Sequence, residues 1–435
     1  LTWQPTPAVN LSISRQHNDE WGVELVAMLD TKSSSPQRPK PQFRSSLDTP
    51  KENLPPMLDR NSWYDMLLYD AERSGLILVE GNVDYETNTA TIIMGNKVYP
   101  VWRDAIKHMT DLANLHLPKE AKFVRLVIEE EGHQVHTLFS ERTASNSSKV
   151  GRISDRALDV GKVVKPVIPQ HRTSFVQNKV YVDATVSTRF QFFDPDDPAR
   201  YQVYGKLGAS LALPGNWVVR GSYSVDIENT FKEITRKSNS VLPHVRSDIA
   251  RYLTEGSDGL DAFYFEKRGS ASPETHYRLF AGVLEEMYSG FGTEILYQPH
   301  QSRLAYGLSA NRVQQRDYDK SFNHLDYKTN TAFASVYWAT PFYNVDAALH
   351  AGRYLAKDKG ATFELRRTFS NGWMIGFWAT LTDVPFEEFG EGSFDKGMFF
   401  RLPLDGLLGK NVRASYATRL RVIQRDGGAR LEDFS

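Results

Sequence analysis

What most limits the fold of this chain is a two-residue alternation of apolar and polar side chains, repeated segment after segment from residue 173 to 434. It is clearest between Lys359 and Asp405. Phe363 and Leu365 there oppose Thr362, Glu364 and Arg366. Next, Trp373, Ile375, Phe377, Ala379 and Leu381 oppose Met374, Gly376, Trp378, Thr380 and Thr382, and then Met398, Phe400 and Leu402 oppose Phe399 and Arg401. Successive side chains of a strand face opposite sides of the sheet, so each segment reads as a strand with one apolar and one polar, partly charged face. Ser370-Asn371-Gly372 supplies the positive-φ residues of a tight turn. The next connection is long and acidic, with Asp383, Glu387, Glu388, Glu391 and Asp395. Long strands with one tight turn and one long loop form the repeat of an outer-membrane β-barrel, although one such hairpin alone also fits a soluble sandwich.

Repetition favours the barrel. Candidate strands are 176–193, 201–213, 216–227, 246–254, 260–268, 275–287, 291–298, 303–314, 329–339, 343–355, 361–369, 372–382, 396–404 and 411–424. These are about fourteen strands of roughly ten residues, the length that crosses a bilayer at a tilt. Val345, Ala347, Leu349 and Ala351 alternate with Asp346, Ala348, His350 and Gly352. Trp217, Tyr223, Tyr306, Trp338, Tyr354, Trp373 and Tyr416 mostly lie near strand ends, where an aromatic girdle is expected. No run approaches the roughly 18 apolar residues of a transmembrane helix, which does not count against a barrel, since only alternate residues of its strands face lipid. Cysteine is absent, which removes disulfides and thiolate metal sites, and a net charge of −1 argues against nucleic-acid binding. No signal peptide is recognisable, and Leu1 opens directly into an alternating strand, so a mature or trimmed chain is expected.

Upstream the pattern changes. Residues 1–31 read as a pair of strands that must belong to a sheet completed elsewhere, and 32–60 as a polar linker rich in Pro and Ser. Residues 61–141 read as a small α+β domain of order αββαββ. Asn61 or Ser62 caps its first helix, which stops near Gly75, and the second helix begins near Pro100. Its histidines, His108, His116, His133 and His136, fit no metal-ligand spacing and read as surface residues. Residues 142–172 are a second linker, and 173–435 the barrel.

Several stretches carry a family resemblance. They are Leu284-Glu285-Glu286-Met287-Tyr288-Ser289-Gly290-Phe291-Gly292, Arg312-Val313-Gln314-Gln315-Arg316-Asp317-Tyr318-Asp319, Ala351-Gly352-Arg353-Tyr354-Leu355-Ala356, Trp378-Ala379-Thr380-Leu381-Thr382 and, most specific, Phe389-Gly390-Glu391-Gly392-Ser393-Phe394-Asp395-Lys396-Gly397. On these the chain resembles the YjbH-like exopolysaccharide-biosynthesis outer-membrane proteins. The resemblance implies an outer-membrane barrel, often a lipoprotein, that works with polysaccharide synthesis and export proteins. It also implies that residues 1–31 end an earlier barrel portion, since larger relatives extend upstream. It carries over no catalytic residues.

If the apolar faces meet lipid, the opposite faces line a lumen bearing Arg220, Asp226, Asp346, His350, Glu364, Arg366, Arg401, Arg413, Arg419 and Arg421. Mixed charge around a wet pore suits hydroxyl-rich or acidic sugars, because guanidinium donates in a fixed fork; equally, such charges can pair across strands and fill the barrel. The loop acids could hold a cation or could be solvated, and no metal or cofactor is expected. Three functions follow. The chain passes or anchors an exopolysaccharide or capsule polymer at the outer membrane, or it is a scaffold whose periplasmic α+β domain docks export proteins while the barrel stays sealed in outer-membrane lipid. The third is a polymer-modifying enzyme, with Glu285/Glu286 or Glu387/Glu388 as its paired carboxylates. Adjacent strand residues point to opposite faces, which disfavours either pair and hence an enzyme.

Overall fold

A computed structural model describes residues 2–6, 9–15, 21–27, 62–142, 171–173, 180–192, 199–233, 240–272, 274–299, 302–369, 371–385, 394–404, 413, 415–421 and 426–432. Thr2–Thr6 (β1), Val9–Arg15 (β2) and Trp21–Ala27 (β3) form a three-stranded antiparallel sheet, one strand more than the expected pair. Among the described residues this sheet pairs with no later strand.

The α+β domain packs two helices, Ser62–Arg73 (α1) and Trp102–His116 (α2), on one sheet. Its strands are Leu76–Asp84 (β4), Thr89–Asn96 (β5), Phe123–Glu130 (β6), His133–Glu141 (β7) and His171–Arg172 (β8), in the order β7-β6-β5-β4-β8. The pair β5–β6 is parallel because α2 crosses between them. Trp63, Leu67 and Ala71 from α1, and Ile106, Met109 and Leu112 from α2, recur at helical spacing and bury against Leu78, Ile92, Met94 and Leu126. Gly75 turns the chain after α1 at φ 74°. Arg142 ends α2 by donating to the carbonyls of Asn114 (2.7 Å), Leu117 (3.0 Å), Pro118 (2.5 Å) and Ala121 (3.3 Å). His116, expected at the surface, is instead 2% exposed and 2.8 Å from Asp70, a bond that ties α2 to α1.

Among the described residues the barrel has thirteen strands. They are Val180–Phe192 (β9), Ala199–Leu213 (β10), Trp217–Asn229 (β11), Gly259–Ser272 (β12), Thr275–Val283 (β13), Tyr288–Tyr297 (β14) and Leu304–Arg316 (β15). His324–Ala339 (β16), Val345–Arg353 (β17), Lys359–Thr368 (β18), Met374–Thr382 (β19), Asp395–Pro403 (β20) and Ser415–Arg421 (β21) complete it. The segment 246–254, expected as a fourteenth strand, is a short helix, Ile249–Thr254 (α3). Ile249, Tyr252 and Leu253 fall one helical turn apart and all are buried. Neighbouring strands are antiparallel. The odd number makes the closing pair, β21 with β9, parallel; it closes at Arg421↔Gln191 and through a hydrogen bond between the Tyr416 and Thr188 hydroxyls.

Alternation holds around the wall. Leu207, Tyr223, Phe265, Leu279, Phe291, Leu308, Val336, Leu349, Phe363 and Phe377 all point outward and are at least 38% exposed. The inward rows hold Tyr264, Glu266, Phe280, Val313, Phe333, Thr362 and Thr380, all buried. Trp217, Tyr306 and Trp338 line the outward rim as a girdle would, whereas Tyr354 is fully buried in a loop.

Candidate functional site

The two barrel ends are built differently. At one end most connections are short, such as 214–216 and 340–344, with 404–414 the long one; at the other they include the long stretches 230–258 and 383–394. The long-loop end carries a packed cap, or seal. Phe231, Val245, Ile249, Tyr252 and Leu253 of the 230–258 connection pack on the inward-facing Tyr264, Phe280 and Val313, together with Leu284, Met287 and Tyr288. The segment 426–432 lies over the same cluster. Asp426 accepts from the backbone amides of Arg246 (2.8 Å) and Ser247 (2.9 Å), the Gly428 amide donates to Asp358 (2.7 Å), and the Leu355 amide donates to the Ala429 carbonyl (2.9 Å).

Beneath this seal lies a buried charge network. Arg246 forks onto both oxygens of Glu285 at 2.6 and 2.9 Å, and the Glu432 amide donates to the same carboxylate at 2.6 Å. Arg189 holds Glu286 at 2.6 Å, and Lys320 lies 3.2 Å from Asp261 and 3.8 Å from Glu286. Burial pushes the pKa of Glu286 up, but Arg189 and Lys320 outweigh it and bring it down to about 2. Arg316, with no exposed surface, faces carbonyls instead: those of Leu260 (2.9 Å), Glu285 (3.1 Å), Glu286 (3.1 Å), Ser321 (3.2 Å) and Lys320. Glu285 and Glu286, considered above as paired catalytic acids, are therefore each consumed by a different cation.

At the short-turn end the α+β domain inserts an acidic turn. Glu131, between β6 and β7, binds the inward-facing Arg220 and also Arg268, the latter at 3.1 Å. Beside it Arg413 holds Glu130 at 2.6 Å and the Asn96 carbonyl at 3.2 Å, with Trp102 under its guanidinium. His133 meets His276 edge-on, with ring centres 6.2 Å apart. Burial, then the neighbouring His276 and Arg268, hold His133 below the usual histidine range.

The remaining predicted lumen residues scatter. Asp226 lies near the seal, accepting from Gln202 (2.9 Å) and Lys232 (2.7 Å). His350 is buried against Ser335 at 2.8 Å. Asp346 and Arg366 pair loosely at 3.5 Å, while Glu364 faces Ala348 and Trp378 across the strands. Arg401 and Arg419 share the inward row of β20 and β21, opposite Met374 and Phe399; Arg421 registers with Gly397, and its side chain lies outside the described residues. Arg413 precedes β21 and faces the α+β domain, not a strand neighbour. Of the loop acids, Glu387, Glu388 and Glu391 lie outside the described residues, and Asp395 accepts from the Trp378 indole at 2.9 Å. No group of three potential metal ligands occurs among the described residues.

Comparison with known proteins follows this architecture. The family model described as exopolysaccharide biosynthesis protein YbjH matches residues 1–434. The chain belongs to this family. It is 29% identical to an uncharacterised lipoprotein, YjbH, of Escherichia coli K12, across 97% of the chain and 61% of the relative. The chain thus spans about three-fifths of that relative's length. Among solved structures, the Salmonella typhi OmpF complex with daunomycin covers 51% of this chain and 84% of its own at 10% identity, with a TM-score of 0.29. Within this family architecture, sequence reasoning missed both the seal and the docked acidic turn.

Proposed function

We propose that the chain is an outer-membrane barrel that serves exopolysaccharide export without catalysing a reaction of its own. In this reading the sealed barrel anchors the α+β domain at the periplasmic mouth, where export proteins dock. Membrane placement is supported by the continuous outward apolar band, in which Val182 (72%), Val186 (67%) and Leu308 (61%) would otherwise meet water. Short turns of such barrels face the periplasm, and the domain sits at that end. The observation that supports the scaffold reading over an open pore is what occupies each end among the described residues: a buried cluster at one and Glu131 between Arg220 and Arg268 at the other.

The test exploits a chain without cysteine. Cysteines replacing His133 and His276 are joined by a short bismaleimide, which locks the domain on the barrel. Surface polysaccharide is then measured against barrel abundance. Export at the wild-type level supports the scaffold, and its loss shows that the mouth must open to pass polymer. A second reading rests on Arg366, Arg401 and Arg419, an inward cationic face that could contact an anionic polymer once the ends open. Replacing Arg419 and Arg421 by Gln in a folded, abundant barrel then reduces export, which the scaffold reading does not expect.

A further inference from the structure

On the outward face of β14–β17, the apolar rows stop at a set of cations. Along β16 the outward residues run Trp338, Val336, Ala334 and Ala332, and then Asn330 and Lys328. On β15, Leu308 and Ala310 give way to Arg312, and on β17, Leu349 and Ala351 give way to Arg353. Register makes these one patch. Arg312 lies directly across from Asn330, and Arg353 across from Ala332, which itself opposes Ala310. Among the described residues Arg312, Lys328 and Arg353 join no ion pair, unlike the inward Arg189 and Arg278. Of the outward acids on these and the adjoining strands, Asp326 lies further toward the loops, while Asp383 is level with Arg353 but two strands away, where it accepts from the Lys359 amide at 2.8 Å.

A furrow leads away from this patch. Small residues in one register, Thr293, Ala310 and Ala332, form its floor, and Phe265 and Phe291 rise beside it. The furrow is open to its surroundings, has a volume of about 630 Å³, and includes Arg312 and Asn330 at its loop-side end. An apolar trough that ends in unpaired guanidinium groups matches an amphiphile: acyl chain below, anion above.

We infer that this face binds an anionic, phosphate-bearing lipid of the outer leaflet, its phosphate held by Arg312 and Arg353 and one acyl chain laid along the Thr293–Ala310–Ala332 furrow. Arginine suits the task because its fork bonds two phosphate oxygens at once, and its stem lets the charge reach the headgroup level while its carbons stay apolar. Charge complementarity selects this occupant over zwitterionic lipid, and the furrow selects it over a soluble anion. The inference rests on the membrane placement proposed above.

The test uses the folded barrel in detergent, with native mass spectrometry after addition of diphosphoryl lipid A, phosphatidylcholine or inorganic phosphate. Lipid A is expected to remain bound, with phosphatidylcholine at least tenfold weaker and inorganic phosphate not retained. Arg312→Gln with Arg353→Gln weakens lipid A at least tenfold. Ala310→Trp, which fills the furrow and leaves the charges, weakens it as well, and Ala332→Leu repeats that test should Ala310→Trp fold poorly. Equal binding of both lipids, or unchanged binding by the charge variants in barrels that still show heat-modifiable gel migration, overturns the site. Retention of inorganic phosphate with a silent furrow variant reduces it to a soluble-anion site and also overturns the inference. Failure of the wild-type barrel to insert into phosphatidylcholine vesicles instead overturns the membrane placement, and the lipid site with it.

Discussion

Replacing Glu285 by Ala isolates what the seal is worth. Arg246 would keep its bond to the Arg430 carbonyl, 2.7 Å away, and its place over the Tyr288 ring, but would lose both carboxylate bonds at a position 4% exposed. Breaking one partner of such a pair strands a buried charge at a cost of about 3–5 kcal/mol. Removing both charges, as Arg246→Met with Glu285→Leu, strands no charge. It takes a cation away from the exposed Glu432 carboxylate and leaves the Glu432 amide and the Arg430 carbonyl short of a partner, about 2 kcal/mol in a segment that water can reach. The barrel ladder does not pass through these side chains, so the cost should appear as local opening of 230–258 and not as melting of the strands. At about 1.4 kcal/mol per factor of ten, the single variant raises the open population roughly a hundredfold or more, and the double variant by about thirtyfold or less. Trypsin reads this directly, because Arg251 on α3 is half exposed and cleavage tracks the open population when closing is fast. Cleavage of Glu285→Ala at the wild-type rate, or of the double variant as fast as the single one, would refute the reasoning.

Three further outcomes follow. Leu349→Arg, on the outward face at mid-strand, should destabilise the barrel by roughly 2–4 kcal/mol in unfolding titrations, while Ala348→Ser, facing inward, costs far less; equal effects would reverse the faces. Glu131→Lys sets a third cation beside Arg220 and Arg268, so the α+β domain should leave the mouth and His133 should become open to alkylation, with barrel melting unchanged. Acid should act on both units. Glu286 is depressed to about 2 from 4.5, so the stability it gives the seal is complete above about pH 4.5 and lost as pH falls through about 2. His108, which burial first and Lys107 second bring down to about 4 against Asp104, must charge on unfolding; the α+β domain therefore weakens as pH falls from about 6.5 toward 4, and a flat profile there would contradict its burial.

The barrel wall was legible because its rule is local: every strand repeats the same two-residue period, and Leu349 or Phe363 declares its face through its immediate neighbours. The α+β core was legible for a similar reason, through the helical spacing of Ile106, Met109 and Leu112. The segment 246–254 was misread because the six residues of its helix are too few for either period to dominate. Its helix is chosen by packing of Ile249, Tyr252 and Leu253 on inward barrel residues far along the chain. His116 was misplaced for the same cause, since Asp70 lies 46 residues away. Arg220 and Arg413 were placed on plausible walls, but their partners Glu131 and Glu130 come from another layer of the molecule. Alternation states which way a side chain points and says nothing about what waits there.

The seal also imposes an order on assembly. The amide of Arg246 meets the carboxylate of Asp426 across 180 residues of sequence, and its guanidinium meets the Arg430 carbonyl across 184. Contacts this distant form late, after the intervening loop entropy has been spent. A barrel halted before its last strand leaves Arg246 and Glu285 without the Asp426 and Glu432 contacts, under a lid not yet fastened. Only the finished circuit fastens it. Residues 426–432 thus act as a latch on the lid, and a barrel interrupted before β21 would be distinguished by a lid left loose.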